Sequence, residues 1–342
     1  MNVKFHILII ASLFLFGCTK SEVTGTADGT TPIGFETYIG RDAQTKAASY
    51  GTDNLPASVG VYGFYSGAKT WAATDNPNLW ANLQLTNNSG TWSYDQNQVR
   101  YWVNSQDNYT FLSYAPYATG ATGNGLVAST GPNPTVTYTV PEALSNQIDL
   151  LYSNTNKNIH KPTTGTSVTL DHKHALSRLT VKASAETAEG AYTFHVKEIS
   201  ITGNFYTEGV LTLESGAWGN LKTASTTYTF YTNNEAAAAA NALGATVVDY
   251  GADSNYLMMI PVNFASNNAA LTVKYTALYG GVESGLKTAT LPISTNFVGG
   301  SAYAINIKFE LSNAIEFSCD LDVSSDEDGN NDGWNNTELG IQ

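Results

Sequence analysis

Hydrophobic and polar positions alternate with a period of two in short bursts along this chain. Ile33, Phe35, Thr37 and Ile39 share one face of such a burst and Glu36 takes the other, the pattern of a half-buried strand. The same alternation runs from Thr135 to Val140, where Pro141 stops it. It returns at Tyr303, Ile305, Ile307, Phe309 and Leu311 and, after Ser312-Asn313, at Ile315, Phe317, Cys319, Leu321 and Val323, so 303–323 reads as a hairpin. Further strands are expected at 59–65, 108–114, 168–174, 192–201, 210–213, 228–232, 256–264 and 271–279. Many short strands separated by Gly, Asn and Pro turns predict sandwiches or barrels. Only 234–243, a run of alanines behind Asn and Glu, reads as helical. Val168, Leu170, His172 and His174 share a parity that Leu179 and Val181 reverse, which predicts a bulge or bend between them. The two histidines continue an apolar face, so burial is expected for them; a metal would need a third ligand.

The N-terminus has a different texture. From Ile7 to Phe16 the chain is apolar apart from Ser12, behind Lys4 and His6. About ten residues fall short of the roughly 20 that span a bilayer, but fit the ~7–15 of a signal-peptide core. The run ends in Leu15-Phe16-Gly17-Cys18, which resembles a bacterial lipobox and implies lipidation of Cys18. Residues 1–17 are therefore expected to be a lipoprotein signal peptide. Residues 18–32, Thr/Gly/Ser-rich and aperiodic, are expected to be a flexible tether. With Cys18 lipidated, Cys319 has no intrachain partner among the two cysteines, and no disulfide framework is available.

Composition narrows the class further. Charged residues make up 13 % of the 342, against about 25 % in soluble domains. Their place is taken by 20 Tyr, 30 Gly and abundant Thr, Ser and Asn, the residues of strands and their turns. The length suggests two domains. A net charge of −13 argues against nucleic acid, and against anionic lipid except through an acyl anchor. No nucleophile elbow, zinc-protease helix, phosphate loop or dinucleotide fingerprint occurs, so neither an enzyme nor a cofactor is expected. Asp328-Gly-Asn330-Asn-Asp332-Gly333 matches the first half of a calcium loop, and Asn336 could follow as a later ligand. Leu339 stands where the bidentate acid belongs, and an acidic linker accounts for the same letters, so no metal site is expected. Trp71, Trp80, Trp92 and Trp102 suit either a core or stacking on sugar rings.

Five stretches together resemble one family over nearly the whole length. They are the lipobox, the first strand running into Thr45-Lys46-Ala47, Tyr109-Thr-Phe-Leu-Ser-Tyr-Ala-Pro116, Gln147-Ile-Asp-Leu-Leu151, and Asp171-His-Lys-His-Ala-Leu-Ser-Arg-Leu-Thr-Val181. In order and spacing they resemble the fimbrillins, pilins and pilin-associated lipoproteins of anaerobic Bacteroidales. The resemblance implies an all-β fold of two tandem transthyretin-like β-sandwich domains, 33–183 and 184–342, on the outer membrane and cell surface of a Gram-negative bacterium. It implies a fimbrial subunit assembled by donor-strand exchange and contributing to adhesion. A trypsin-like protease would cut after Arg41 or Lys46 and release the first strand, 33–41, with Ile33, Phe35 and Ile39 as its plug. A neighbouring pilin subunit's C-terminal segment would fill the groove, either the tail with Trp334, Leu339 and Ile341 or the strand 315–323. A host protein or glycan is the expected adhesion partner. The alternative is a surface lipoprotein that captures polysaccharide for nutrient uptake, which would need no plug and would present a row of exposed Trp or Tyr.

Overall fold

The computed structural model describes residues 30–39, 56–185, 192–233, 242–251, 255–309 and 335–336. Strands dominate it. In chain order they begin with β1 (Gly34–Ile39), β2 (Ser58–Gly67), β3 (Trp80–Asn88), β4 (Thr91–Ser93), β5 (Asn108–Ala115), β6 (Leu126–Ala128), β7 (Thr135–Thr139), β8 (Leu151–Ile159), β9 (Ser167–His174) and β10 (Ser177–Ala185). After these come β11 (Tyr192–Thr212), β12 (Ala217–Thr232), β13 (Ala242–Leu243), β14 (Val248–Asp249), β15 (Leu257–Met259) and the single turn of helix α1 (Phe264–Asn267). The chain continues with β16 (Ala269–Tyr279), β17 (Val282–Glu283), β18 (Lys287–Ile293), β19 (Ser301–Phe309) and β20 (Asn335–Asn336).

The first sheet has seven strands in the order β1-β9-β8-β5-β2-β3-β4. Its period-2 apolar positions turn inward: Ile33, Phe35, Val59, Val61, Leu83, Leu85, Phe111, Val168 and Leu170 form one buried cluster. The sheet curls until its two edges approach. The ring of Phe35 on β1 stands edge-on to Trp80 of β3 at 5.6 Å and to Tyr94, just beyond β4, at 6.2 Å. The outer face of β2 and β5, with Tyr62, Phe64, Leu112 and Tyr114, joins a second and larger core that continues through Leu179, Phe205, Ile305 and Phe309.

Two further sheets enclose that larger core. In one, β10 is antiparallel to β14 and β15 along one edge and parallel to β19 along the other. In the other, β11 runs for 21 residues. It pairs with β16 and β7 on one edge and with β12 and β13 on the opposite one. The parity reversal after His174 corresponds to a bend: the chain leaves the first sheet at His174 and enters the second at Ser177, with Ala175-Leu176 between. The boundary expected at 183/184 falls inside β10, whose partner strands start at residue 248.

Two local expectations are corrected. Ala242 and Leu243, read as the end of a helix, pair instead with His195 and Phe194 as β13; 234–241 lie outside the described residues. The strand expected over 256–264 is confined to Leu257–Met259. Pro261 has no N–H to extend a ladder, and Phe264 opens α1, where the Asn263 side chain accepts from the Ala265 N–H at 3.0 Å.

Gly60 on β2 shows how closely the outer face is fitted. A Cβ there would overlap the Tyr114 ring and lie 2.7 Å from Asn82 Oδ1. Neither neighbour is free to move, because the Tyr114 hydroxyl donates to that same Oδ1 at 2.8 Å. Gly60→Ala is therefore expected to destabilise the fold by about 1–3 kcal/mol, read as a lower urea midpoint with an unchanged slope.

Candidate functional site

The feature with the greatest capacity for function is the strand at the seam, β1, and the groove it fills. Ile, Phe, Thr and Ile at alternate positions suit a pleated, half-buried surface, and the chain uses them that way. Ile33 and Ile39 are wholly buried and Phe35 is 5 % exposed, while Glu36 and Tyr38 face solvent. Each of the three apolar side chains contributes about 1.5–3 kcal/mol by leaving water. Among the described residues β1 pairs with one neighbour, running parallel to β9 with Phe35 opposite Val168, Thr37 opposite Leu170 and Ile39 opposite His172.

Polar contacts concentrate at the start of the strand. The Ile33 N–H donates to the Arg100 carbonyl at 2.9 Å, and the Trp102 N–H donates to the Thr31 carbonyl at 3.0 Å. The Tyr94 hydroxyl donates to the Ile33 carbonyl at 2.6 Å, and Lys161 Nζ donates to Thr31 Oγ1 at 3.1 Å. Beneath β1 the groove is aromatic. Trp102 is wholly buried, edge-on to Tyr109 at 4.6 Å and to Phe111 at 6.1 Å. Trp80 anchors its indole N–H on the Gln98 carbonyl at 2.8 Å. These lining residues come from elements far apart in sequence, and only the aromatic and β-branched content of 80–111 hints at them.

One position on the strand is poorly satisfied. Thr37 is 3 % exposed, and its Oγ1 has no hydrogen-bond partner among the described residues. Below the end of the strand, His172 Nε2 lies 3.0 Å from Ser113 Oγ. Burial lowers the His172 pKa from 6.5 to about 4, against a weaker upward pull from the main chain of Leu170 and Tyr38. His174 Nδ1 lies 2.8 Å from Asp149 Oδ1, both buried. Both histidines thus occupy the interior that their parity implied. Among the described residues no group of three or more His, Cys, Asp or Glu side chains could hold a metal ion.

Trp71, Trp80 and Trp102 are buried and Trp92 is half-buried against the first core, so they do not form an exposed stacking row. Cys18, Arg41, Lys46, Trp334, Leu339 and Ile341 lie outside the described residues. So do the strand expected at 315–323 and Asp328–Gly333. Asn335 and Asn336 are described, and they pair in parallel with Ser301 and Ala302 at the start of β19.

Fold and groove define a class: an all-β protein in which a single edge strand completes the dry interior of a curled sheet. The chain belongs to the fimbrillin-like family, whose model matches residues 45–322. It is similar to fimbrium subunit Fim1C of Phocaeicola vulgatus, 28 % identical over 123 residues, 34 % of this chain and 31 % of that one. The match thus spans about a third of that relative. A crystal structure of a fimbrial protein from Bacteroides vulgatus shares the fold, with a TM-score of 0.65 over 84 % of this chain and 96 % of that one at 18 % identity.

Two outcomes follow from the site. Replacing Thr37 by the near-isosteric Val removes a buried, unpaired hydroxyl, so Thr37→Val is expected to raise stability by about 1 kcal/mol. A lower urea midpoint would show the hydroxyl to be satisfied. His172 makes stability depend on pH. The unfolded chain takes up this proton near pH 6.5 and the folded one near 4, so stability falls as pH drops through that window. The ceiling is about 3 kcal/mol. The drop in urea midpoint between pH 7 and 4.5 is expected to shrink in His172→Asn; an identical drop in both proteins would refute a neutral, buried His172.

Proposed function

We propose that this protein is a structural subunit of a cell-surface fimbria, exported as a lipoprotein through Cys18 and assembled by donor-strand exchange. In this reading a trypsin-like protease cuts after Arg41 or Lys46, and β1 departs with Ile33, Phe35 and Ile39. The open groove then receives the C-terminal segment of another pilin subunit, either the tail carrying Trp334, Leu339 and Ile341 or the strand 315–323. What remains after β1 departs, with β10 running across the boundary expected at 183/184, is the repeating body of the polymer. The polymer contributes to adhesion, and the subunit's role is mechanical and not enzymatic.

The observation that carries the reading is the position of β1. It is the edge strand of its sheet, yet it supplies wholly buried side chains to the core. Taking it away leaves an apolar trough and the unpaired ladder of β9, a strong template for another strand. Basic residues stand within seven positions of its end, at Arg41 and Lys46. Membership of the fimbrillin-like family supports the same reading.

Limited trypsin digestion of the folded protein expressed without residues 1–17 tests it, read by intact mass and native gel. The expected result is one cut at Arg41 or Lys46 followed by ladders of stable oligomers. A loop that resists trypsin while the chain stays monomeric would remove the trigger and with it this mechanism.

A further inference from the structure

Outside the groove, the first sheet carries a second concavity with a different chemistry. On β3 the inward positions belong to Leu83 and Leu85, so Asn82, Gln84, Thr86 and Asn88 form a polar row on the other face. Tyr94, Asp95 and Gln98 flank that row on one side and Tyr117 on the other, forming an open cleft of about 490 Å³. That lies within the ~300–1,000 Å³ typical of small-ligand sites. We propose that this cleft is a binding site for a neutral, hexose-based glycan.

Three properties point to that class of ligand. The first is unspent hydrogen-bonding capacity. The side-chain amides of Gln84 and Gln98 and the hydroxyl of Thr86 are solvent-exposed and bonded to no other described residue, so a ligand there would replace water only. Asp95 commits Oδ1 to the Asn97 N–H at 2.9 Å and to Asn97 Nδ2 at 3.0 Å, which leaves Oδ2 able to accept. Planar amides and carboxylates offer paired donors and acceptors, and the vicinal hydroxyls of a sugar donate and accept in the same paired geometry. The second property is rigidity. Asn82 is held by the Tyr114 hydroxyl at 2.8 Å, and its own Nδ2 reaches the Tyr117 hydroxyl at 3.4 Å. The Tyr117 ring is stacked on Tyr114 with centroids 6.4 Å apart. One wall is therefore fixed before any ligand arrives, which lowers the entropy cost of binding. It presents an apolar ring beside a hydroxyl still able to donate, matching the C–H face and hydroxyl rim of a pyranose.

The third property is charge. Among the described residues no Lys, Arg or His lines the cleft, and its one carboxylate is Asp95. Sialic acids, uronic acids, sulfated sugars and phosphates would meet a carboxylate with no cation to offset it. A neutral glycan meets no such penalty. The floor of the site belongs to β3, while its Tyr94 wall also stands against Phe35 of β1. The site deepens the adhesive part of the proposed function by naming what the subunit would hold.

Saturation-transfer NMR and calorimetry on the protein expressed without residues 1–17 test this against neutral gluco-, manno-, galacto- and N-acetylglucosamine oligosaccharides, with 3′-sialyllactose as the acidic control. At least one neutral probe is expected to bind at millimolar concentration or tighter, and the control to bind more weakly. Gln84→Ala combined with Gln98→Ala is expected to weaken binding about tenfold, through two lost hydrogen bonds. Thr86→Arg, at an exposed position, is expected to abolish it with the urea midpoint unchanged. The proposal is overturned if none of the neutral probes binds, if the acidic control binds as well, or if binding survives Thr86→Arg. Trypsin-triggered oligomers in variants that have lost sugar binding would keep the strand-exchange reading separate from this one.

Discussion

A sheet that curls until its edges meet keeps its interior dry only while the strand at the seam is in place. That constraint governs the first half of this protein. The seam is closed by side chains: Phe35 meets Trp80 and Tyr94 across it, while among the described strands β1 forms its ladder with β9. Everything inside, from the Trp102 indole to the neutral ring of His172, relies on this thin cover. The low dielectric beneath β1 is what keeps His172 uncharged.

The rest of the molecule is arranged to leave that seam undisturbed. The outer face of β2 and β5 is tied into the larger core through Tyr62, Phe64, Leu112 and Tyr114, so the centre of the curled sheet is held from behind. β8 is pinned from the same side, with Lys157 bonded to the Glu214 carboxylate at 2.7 Å and Asn154 to the Glu214 carbonyl at 3.0 Å. The middle strands of the curled sheet are thus tied from both faces.

How much of this was legible in the chain depends on which face a residue serves. β1, β7, β16 and β19 carry apolar residues at every second position, and each was readable to within a few residues. β3 and β8 were not anticipated. In β8, Asn154, Asn156 and Lys157 occupy strand positions because particular main-chain and carboxylate partners satisfy them, and partners distant in sequence leave no periodic trace. β11 reads as two strands because Gly203, Asn204 and Gly209 interrupt its pattern, whereas the ladder to β12 runs past them with local register shifts. The plug residues Ile33, Phe35 and Ile39 could be named from alternation and family resemblance. Their receptor, built from Trp80, Tyr94, Trp102 and Phe111, could not, since only the fold brings those rings together. The polar cleft was equally hidden, because Gln84, Thr86 and Gln98 are indistinguishable by letter from any solvated surface.

The parallel pairing of β1 with β9 carries one more consequence. Antiparallel neighbours can be joined by a two-residue hairpin, but a strand paired in parallel must be reached by a longer connection. Here β1 ends at Ile39, the next described strand starts at Ser58, and the parallel partner β9 starts only at Ser167. While that connection is whole, the strand is an intramolecular ligand, present at the groove at an effective concentration on the order of millimolar whatever the protein's dilution. Severing any one bond in it removes no contact from the groove, yet β1 becomes a separate peptide. From then on its occupancy is set by mass action against any other strand that can reach the same trough.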